Sequence, residues 1–280
     1  MGQMDGDVEP SIPLDDAAIA PTDADASNPL NDAGDAALDG DVPPPPPPTG
    51  LDCDSIDGVL FCDDFESGLI QTSNWTKDTT NGSTIEVSNA KALQGTYALR
   101  VTMSTSAGTR AYLSLTNIFP VAGNHFFGRV HMYITPDITG VHNEAFYATG
   151  SLNYNGTGGE ASYRLSTNGQ HNSFRSRYVH PYITQTLDIH GGLIKAAHTA
   201  KLNQWMCIEF EYDGPNNRMK YWFDGVEETS MTVTGTEDPL WKAPSFTKFY
   251  LGYWHLQAGE QVETVYYDAF AHRTHRLRGQ

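Results

Sequence analysis

Met206-Cys207-Ile208-Glu209-Phe210-Glu211-Tyr212-Asp213-Gly214-Pro215-Asn216-Asn217-Arg218-Met219-Lys220-Tyr221-Trp222-Phe223-Asp224-Gly225 is the stretch that decides the fold. Met206, Ile208, Phe210 and Tyr212 alternate with Cys207, Glu209 and Glu211. A period of two places alternate side chains on opposite faces of a strand, which is the mark of a half-buried β-strand. Asp213-Gly214-Pro215-Asn216-Asn217 is turn chemistry between two such strands, so they form a hairpin. Asp224-Gly225 then opens another tight turn. Residues 205–233 therefore read as three consecutive antiparallel strands, a meander within one sheet.

The same period recurs on both sides. In Arg129-Val130-His131-Met132-Tyr133-Ile134 the residues Val130, Met132 and Ile134 share a face, and Ala98-Leu99-Arg100-Val101-Thr102-Met103 behaves alike. Further strands are expected at 84–88, 111–117, 144–149, 161–167, 173–179, 218–223, 229–233, 247–254 and 263–272. Asn81-Gly82, Asn155-Gly156 and Asn168-Gly169 punctuate them. The Gly- and Asn-rich stretch 150–160 reads as a long loop joining two strands, the kind of place where binding concentrates. Helical periodicity is missing apart from a short turn near 192–199. Many short strands at regular spacing imply an all-β sandwich or jelly roll.

The chain has 280 residues, and sheet-rich single domains of roughly 200–250 residues are common. Residues 51–280 are expected to form one β domain and residues 1–50 a tail. The tail holds 11 acidic residues, no Lys or Arg and no aromatic, and it runs into six prolines, Pro43 to Pro48. Such a composition buries too little apolar surface to offset the entropy of ordering. The expectation is a disordered spacer whose proline run is a stiff polyproline II rod, about 3.1 Å per residue. The remainder carries 23 acidic against 17 basic residues, within a total formal charge of -17. A net-acidic chain without a basic stripe is a poor nucleic-acid binder. No run of 18 apolar residues exists to span a membrane, and no period of roughly 20–50 residues marks a solenoid. The expected state is a monomer.

No basic start followed by an apolar stretch marks a signal peptide. A stiff spacer ahead of a globular domain nevertheless suits a secreted or cell-surface protein, tethered through its tail. Of the three cysteines, Cys53 and Cys62 flank a short turn and Cys207 stands in an apolar strand. A Cys53–Cys62 bridge implies an oxidising compartment. Pairing of Cys62 with Cys207, or three reduced thiols, are the alternatives, because spacing does not fix connectivity.

Leu60-Phe61-Cys62-Asp63-Asp64-Phe65-Glu66-Ser67-Gly68 is followed by Trp75 and then by Ala92-Leu93-Gln94-Gly95-Thr96-Tyr97-Ala98-Leu99-Arg100-Val101. Phe127-Gly128-Arg129, Trp205-Met206-Cys207-Ile208-Glu209, Tyr221-Trp222-Phe223-Asp224-Gly225 and Tyr266-Tyr267-Asp268-Ala269-Phe270 come after. In this order the set resembles the concanavalin A-like jelly rolls, in particular the polysaccharide-lyase-like group of the fungal cellulose-induced secreted protein and the glucuronan lyases. The resemblance covers about residues 59–275. It implies a jelly roll acting on polysaccharide, and the same shell serves lyases, glycosidases and lectins. The Glu-x-Asp-x-x-Glu pair of the laminarinase-like jelly rolls is absent. The resemblance also implies a structural Ca2+ tying first and last strands, and it maps Glu66, Thr96 and Asp268 onto the ligand positions. Hard oxygens of this kind suit calcium; the alternative is a solvated acidic turn.

β-Elimination on a uronic-acid polymer needs a cation to neutralise the substrate carboxylate, a base for the C5 proton and an acid for the leaving oxygen. Polar residues opposite core residues on strands are the candidates. Arg129, Arg164 and Arg175 are available as neutralisers, His131, His142 and His255 as the base, and Tyr178 as the acid. Glu209 is a further candidate, and it is also the natural cross-strand partner of Arg129. Tyr182, Trp241 and Tyr253 are the rings expected to stack on sugars. The leading expectation is a polysaccharide lyase. A carbohydrate-binding module or lectin, and a surface-anchored adhesion domain, are the alternatives.

Overall fold

The computed structural model describes residue 53 and residues 56–139, 142–154, 156–169, 172–179, 198–236 and 241–276. The acidic tail expected over 1–50 lies outside them, as does Tyr182. Among the described residues there is no α-helix. Fifteen antiparallel strands among these residues form two sheets.

The first sheet contains β1 (Val59–Asp63), β3 (Thr84–Ser88), β4 (Ala98–Met103), β6 (His125–Thr135), β11 (Met206–Asp213), β12 (Arg218–Phe223), β13 (Val226–Glu227) and β15 (Glu263–Arg273). Its order is β13-β12-β11-β6-β15-β4-β3, and β1 also pairs with β15. The second contains β2 (Trp75–Thr79), β5 (Thr109–Leu115), β7 (Asn143–Tyr154), β8 (Thr157–Asn168), β9 (Ser173–Val179), β10 (His198–Thr199) and β14 (Ser245–His255). Its order is β10-β9-β8-β7-β14-β5-β2.

The alternation read from the sequence places the core between the sheets. Ile208, Phe210 and Tyr212 of β11 and Val130, Met132 and Ile134 of β6 are fully buried, as are Phe249, Leu251 and Tyr253 of β14. Phe210 stacks on Phe249 with ring centroids 5.5 Å apart, one ring from each sheet. Gly128 faces Phe210 across the β6–β11 ladder. A Cβ at Gly128 would fall 2.0 Å from that ring, so only glycine leaves room for it. Each buried aromatic or aliphatic side chain contributes about 1.5–3 kcal/mol relative to exposure.

Three local readings are corrected. The polar stretch 150–160 is not a loop: β7 and β8 run through it as a long hairpin with continuous pairing from Phe146↔Leu165 to Tyr154↔Thr157. Backbone ladders satisfy themselves without apolar side chains, so glycine and asparagine hid the strands. The third strand of the meander is Val226–Glu227, and Thr229–Met231 is a 3-10 turn. Residues 198–199 of the expected turn near 192–199 form a strand, and the rest lies outside the described residues.

Cys53 and Cys62 are disulfide-bonded, with Cα atoms 5.6 Å apart, and Cys207 is free. That settles the pairing the spacing left open.

Candidate functional site

The expected catalytic residues divide between two opposite surfaces. Arg129, His131 and Glu209 lie on the outer face of the eight-stranded sheet, because Val130, Met132 and Ile208 beside them point into the core. Arg164 and Arg175 lie on the outer face of the seven-stranded sheet, opposite Tyr163, Leu165 and Phe174. With the core between them, these groups cannot converge on one substrate.

The seven-stranded face gathers the richer chemistry. Register sets Tyr250, Tyr147, Arg164 and Arg177 side by side across β14, β7, β8 and β9. A neighbouring row runs Trp254, Glu144, Ser166, Arg175. A bulge between Glu144 and Phe146 shifts the parity of β7 and lets both Glu144 and Tyr147 face outward. Glu144 has no exposed side-chain surface; it binds the Arg177 guanidinium through Oε1 and accepts from Ser166 Oγ at 2.7 Å. Arg164 Nη1 is 3.7 Å from the same Oε1, and Arg164 Nε donates to Ser162 Oγ at 2.7 Å. One buried carboxylate thus holds two guanidiniums, leaving net positive charge at low dielectric.

Beside them is an aromatic wall. Tyr147 stacks on Tyr250 at 4.4 Å, and Tyr112 meets both edge-on at 5.4 and 5.6 Å. Burial pushes the Tyr147 hydroxyl well above the ordinary tyrosine range, with the Arg164 charge acting against that rise. Tyr147 is therefore a neutral phenol around pH 7. His142, Asn143, Ser166, Arg175 and Arg177 line a narrow cleft at the end of this face. Arg175 is half-buried there and makes no ion pair among the described residues.

The remaining expectations are placed elsewhere. Tyr178 is buried and its hydroxyl donates to the Lys242 carbonyl at 2.7 Å, so it is not an acid on this face. His255 is wholly buried, bonded through Nε2 to Glu263 at 3.1 Å, and is a core residue. Trp241 packs on Tyr178 at 4.7 Å and donates to Tyr163 Oη, and Tyr253 is fully buried beside Thr167. Neither ring offers a face to a sugar. Glu209, the sequence partner of Arg129, is held instead by Arg276 at 2.8 Å. His131 faces Cys207 across the ladder, and burial together with Arg129 lowers it to about 4. A buried neutral imidazole of that kind is a poor base near neutral pH.

Glu66, Thr96 and Asp268 do come together. The β4 pairing of β15 ends at Tyr267 and the β1 pairing begins at Phe270, leaving Asp268 in the gap. Asp268 Oδ2 accepts from the Leu93 and Gln94 amides, while Glu66 accepts from those of Thr96 and Tyr97. Neither carboxylate forms an ion pair among the described residues. Burial, with the Glu66 charge adding, lifts Asp268 to about 6. Two close, uncompensated carboxylates match the hard-oxygen chemistry of a divalent cation. A second acidic group, His125, Glu211 and Asp213, brings ligand atoms within 4.8 Å of one another. Arg218 already bonds both carboxylates, at 2.6 and 2.9 Å, so their charge is met.

No family model matches the sequence, and no curated protein matches it. Solved structures do. Cellulose induced protein, Cip1, aligns over 79% of this chain and 100% of its own, with a TM-score of 0.59 at 18% identity. The endo-beta-1,4-glucuronan lyase from the fungus Trichoderma reesei aligns over 78% of this chain and 96% of its own, with a TM-score of 0.57 at 15% identity. Alginate lyase vAL-1 from Chlorella virus aligns over 78% and 100%, with a TM-score of 0.51 at 12% identity. The chain has the jelly-roll fold of these proteins. At such identities the likeness is one of fold, and the jelly roll's own residues must carry the argument for chemistry.

Glu144, Tyr147 and Tyr250 were not among the residues singled out by sequence. Parity was the available signal for Tyr250, which alternates with buried Phe249 and Leu251. Glu144 and Tyr147 sit on either side of the bulge, which parity cannot see.

Proposed function

We propose that this protein is a carbohydrate-active enzyme of the extracellular space, a polysaccharide lyase that cleaves a uronic-acid polymer on the outer face of its seven-stranded sheet. The observation that carries the reading is the guanidinium of Arg175, without an ion pair among the described residues, in one cleft with His142, beside two arginines fixed by Glu144. Arg175 neutralises the uronate carboxylate and so acidifies the C5 proton. His142 removes that proton. Tyr147, kept a neutral phenol, protonates the leaving oxygen. Tyr250 and Trp254 support neighbouring sugars. The chain as a whole repels a polyanion, with a formal charge of -17, so the three arginines must supply the local attraction. The two lyases among the structural neighbours support the substrate class, and the disulfide supports export. Within this reading a structural Ca2+ is held by Glu66 and Asp268.

The test is ultraviolet absorbance of the unsaturated uronic product over a panel of uronic-acid polymers. A rise on one polymer, lost in His142→Ala and Arg175→Ala, is expected. A flat trace with folded protein on every polymer overturns the lyase reading. The stacked Tyr147–Tyr250 pair then favours a non-catalytic carbohydrate-binding module on the same face.

A further inference from the structure

The eight-stranded sheet carries its own cavity, of about 560 Å3, lined by Phe127, Glu211, Trp222, Glu227, His275 and Arg276. That volume is within the range of small-ligand sites, roughly 300–1,000 Å3. It opens on the surface opposite the arginine-rich face, and nothing in the lyase reading uses it.

Its polar groups are half-used. Glu211 spends Oε1 on His125 and Arg218, and Glu227 spends Oε1 on Lys220 and Thr232. The Oε2 atom of each makes no hydrogen bond among the described residues. Arg276 commits Nε and Nη2 to Glu209 and to the Gly225 carbonyl, leaving Nη1. The same guanidinium lies 4.3 Å from the centre of the Trp222 ring. Two acceptors and one donor thus remain beside two aromatic rings. The lining carboxylates already hold cations, so little net charge is left to capture an ion, and two carboxylates oppose an anion. A ligand that both donates and accepts, carries no charge and offers a C–H face is a neutral pyranoside. We propose that this cavity is a second carbohydrate site, specific for neutral sugars, on the back of the sandwich.

The experiment is isothermal titration of the full chain with neutral hexasaccharides of β-1,4-linked glucose, xylose and mannose, and with a hexauronate as the acidic control. At least one neutral hexasaccharide is expected to bind. Glu227→Gln and Trp222→Ala should each weaken it about tenfold or more, while Arg175→Ala leaves it unchanged. Trp222 is only 6% exposed, so its variant is read only if circular dichroism shows it folded; Glu227→Gln carries the test otherwise. Lack of binding to every neutral hexasaccharide by folded wild type overturns the proposal. So does unchanged binding in Glu227→Gln, or loss of neutral binding in Arg175→Ala. Lyase turnover is read separately, so failure of either site is distinguishable from failure of the other.

Discussion

Arg164 holds its guanidinium carbon 4.5 Å from the centre of the Tyr147 ring, and the two residues face each other directly across the β7–β8 ladder. In the proposed lyase this contact would join the charge that attracts a uronate to the phenol that protonates the leaving oxygen. Arg164 also works against the rise that burial imposes on Tyr147. Arg164→Lys keeps the charge but loses the planar stack and the Ser162 bond. Its kcat on the uronate polymer should fall about tenfold or more with its fold intact. An unchanged kcat would sink the role given to Arg164 and Tyr147.

Arg175 and Glu144 should separate chemistry from stability. Arg175 has no ion pair to lose among the described residues, so Arg175→Ala should leave Tm within about 2 °C while kcat/KM drops about 10²–10³-fold. Glu144→Ala strands two guanidiniums around a buried site, which costs about 3–5 kcal/mol. At about 2–4 °C per kcal/mol for a domain of this size, Tm should fall by about 10 °C. Calorimetry on the two variants decides it; equal losses of Tm would mean that Arg175 is structural.

Parity made much of the fold legible and little of the site. The alternation in Met206–Tyr212 specifies face, register and core at once, because one strand must bury one side. The same count along Phe249–His255 puts Tyr253 and His255 inside and Tyr250 and Trp254 outside, which the structure shares. Choosing His255 and Tyr253 for their chemistry overrode that count. Two features were out of reach. The bulge at Ala145 turns both Glu144 and Tyr147 to the outer face of the sheet, and bulges leave no reliable sequence mark. Trp241, in a segment without strand pattern, is 1% exposed because it packs on Tyr163 and Tyr178.

His272 is a buried imidazole with no hydrogen-bond partner on either ring nitrogen among the described residues, its ring centre 4.4 Å from that of Phe249 and 4.8 Å from that of Phe270. Burial lowers it to about 3, against an ordinary value of 6.5. Its folded value is depressed, so the unfolded chain binds the proton first. The stability it allows is present above about 6.5 and is lost as pH falls towards 3, by about 1.4 kcal/mol per pH unit. His272→Phe should remove that part of the slope and stabilise the protein at pH 7 by about 1–3 kcal/mol, the cost of the unpaired polar atoms. Urea unfolding of both proteins between pH 7 and pH 4 measures it, and parallel curves would refute the assignment.

Calcium should act on stability and not directly on turnover chemistry. Glu66 and Asp268 join the end of β1, the loop before β4 and the bulge of β15, segments far apart in sequence but adjacent in the sheet. A cation bound only by the folded chain stabilises by about 2.7 kcal/mol at a hundredfold excess over its Kd. Millimolar Ca2+ should therefore raise Tm by several degrees over a chelated sample. Glu66→Gln removes one of the two charges that attract the ion, and its Tm should respond to Ca2+ far less. Gly95 lies so close that a Cβ there would fall 2.3 Å from the Glu66 carboxyl carbon, and its φ of 65° is one that L side chains resist. Gly95→Ala should thus reproduce the loss of calcium response by displacing the Glu66 carboxylate, with both acidic residues still present. If wild-type Tm is the same in Ca2+ and in chelator, the two carboxylates are held by backbone amides alone and the metal assignment fails.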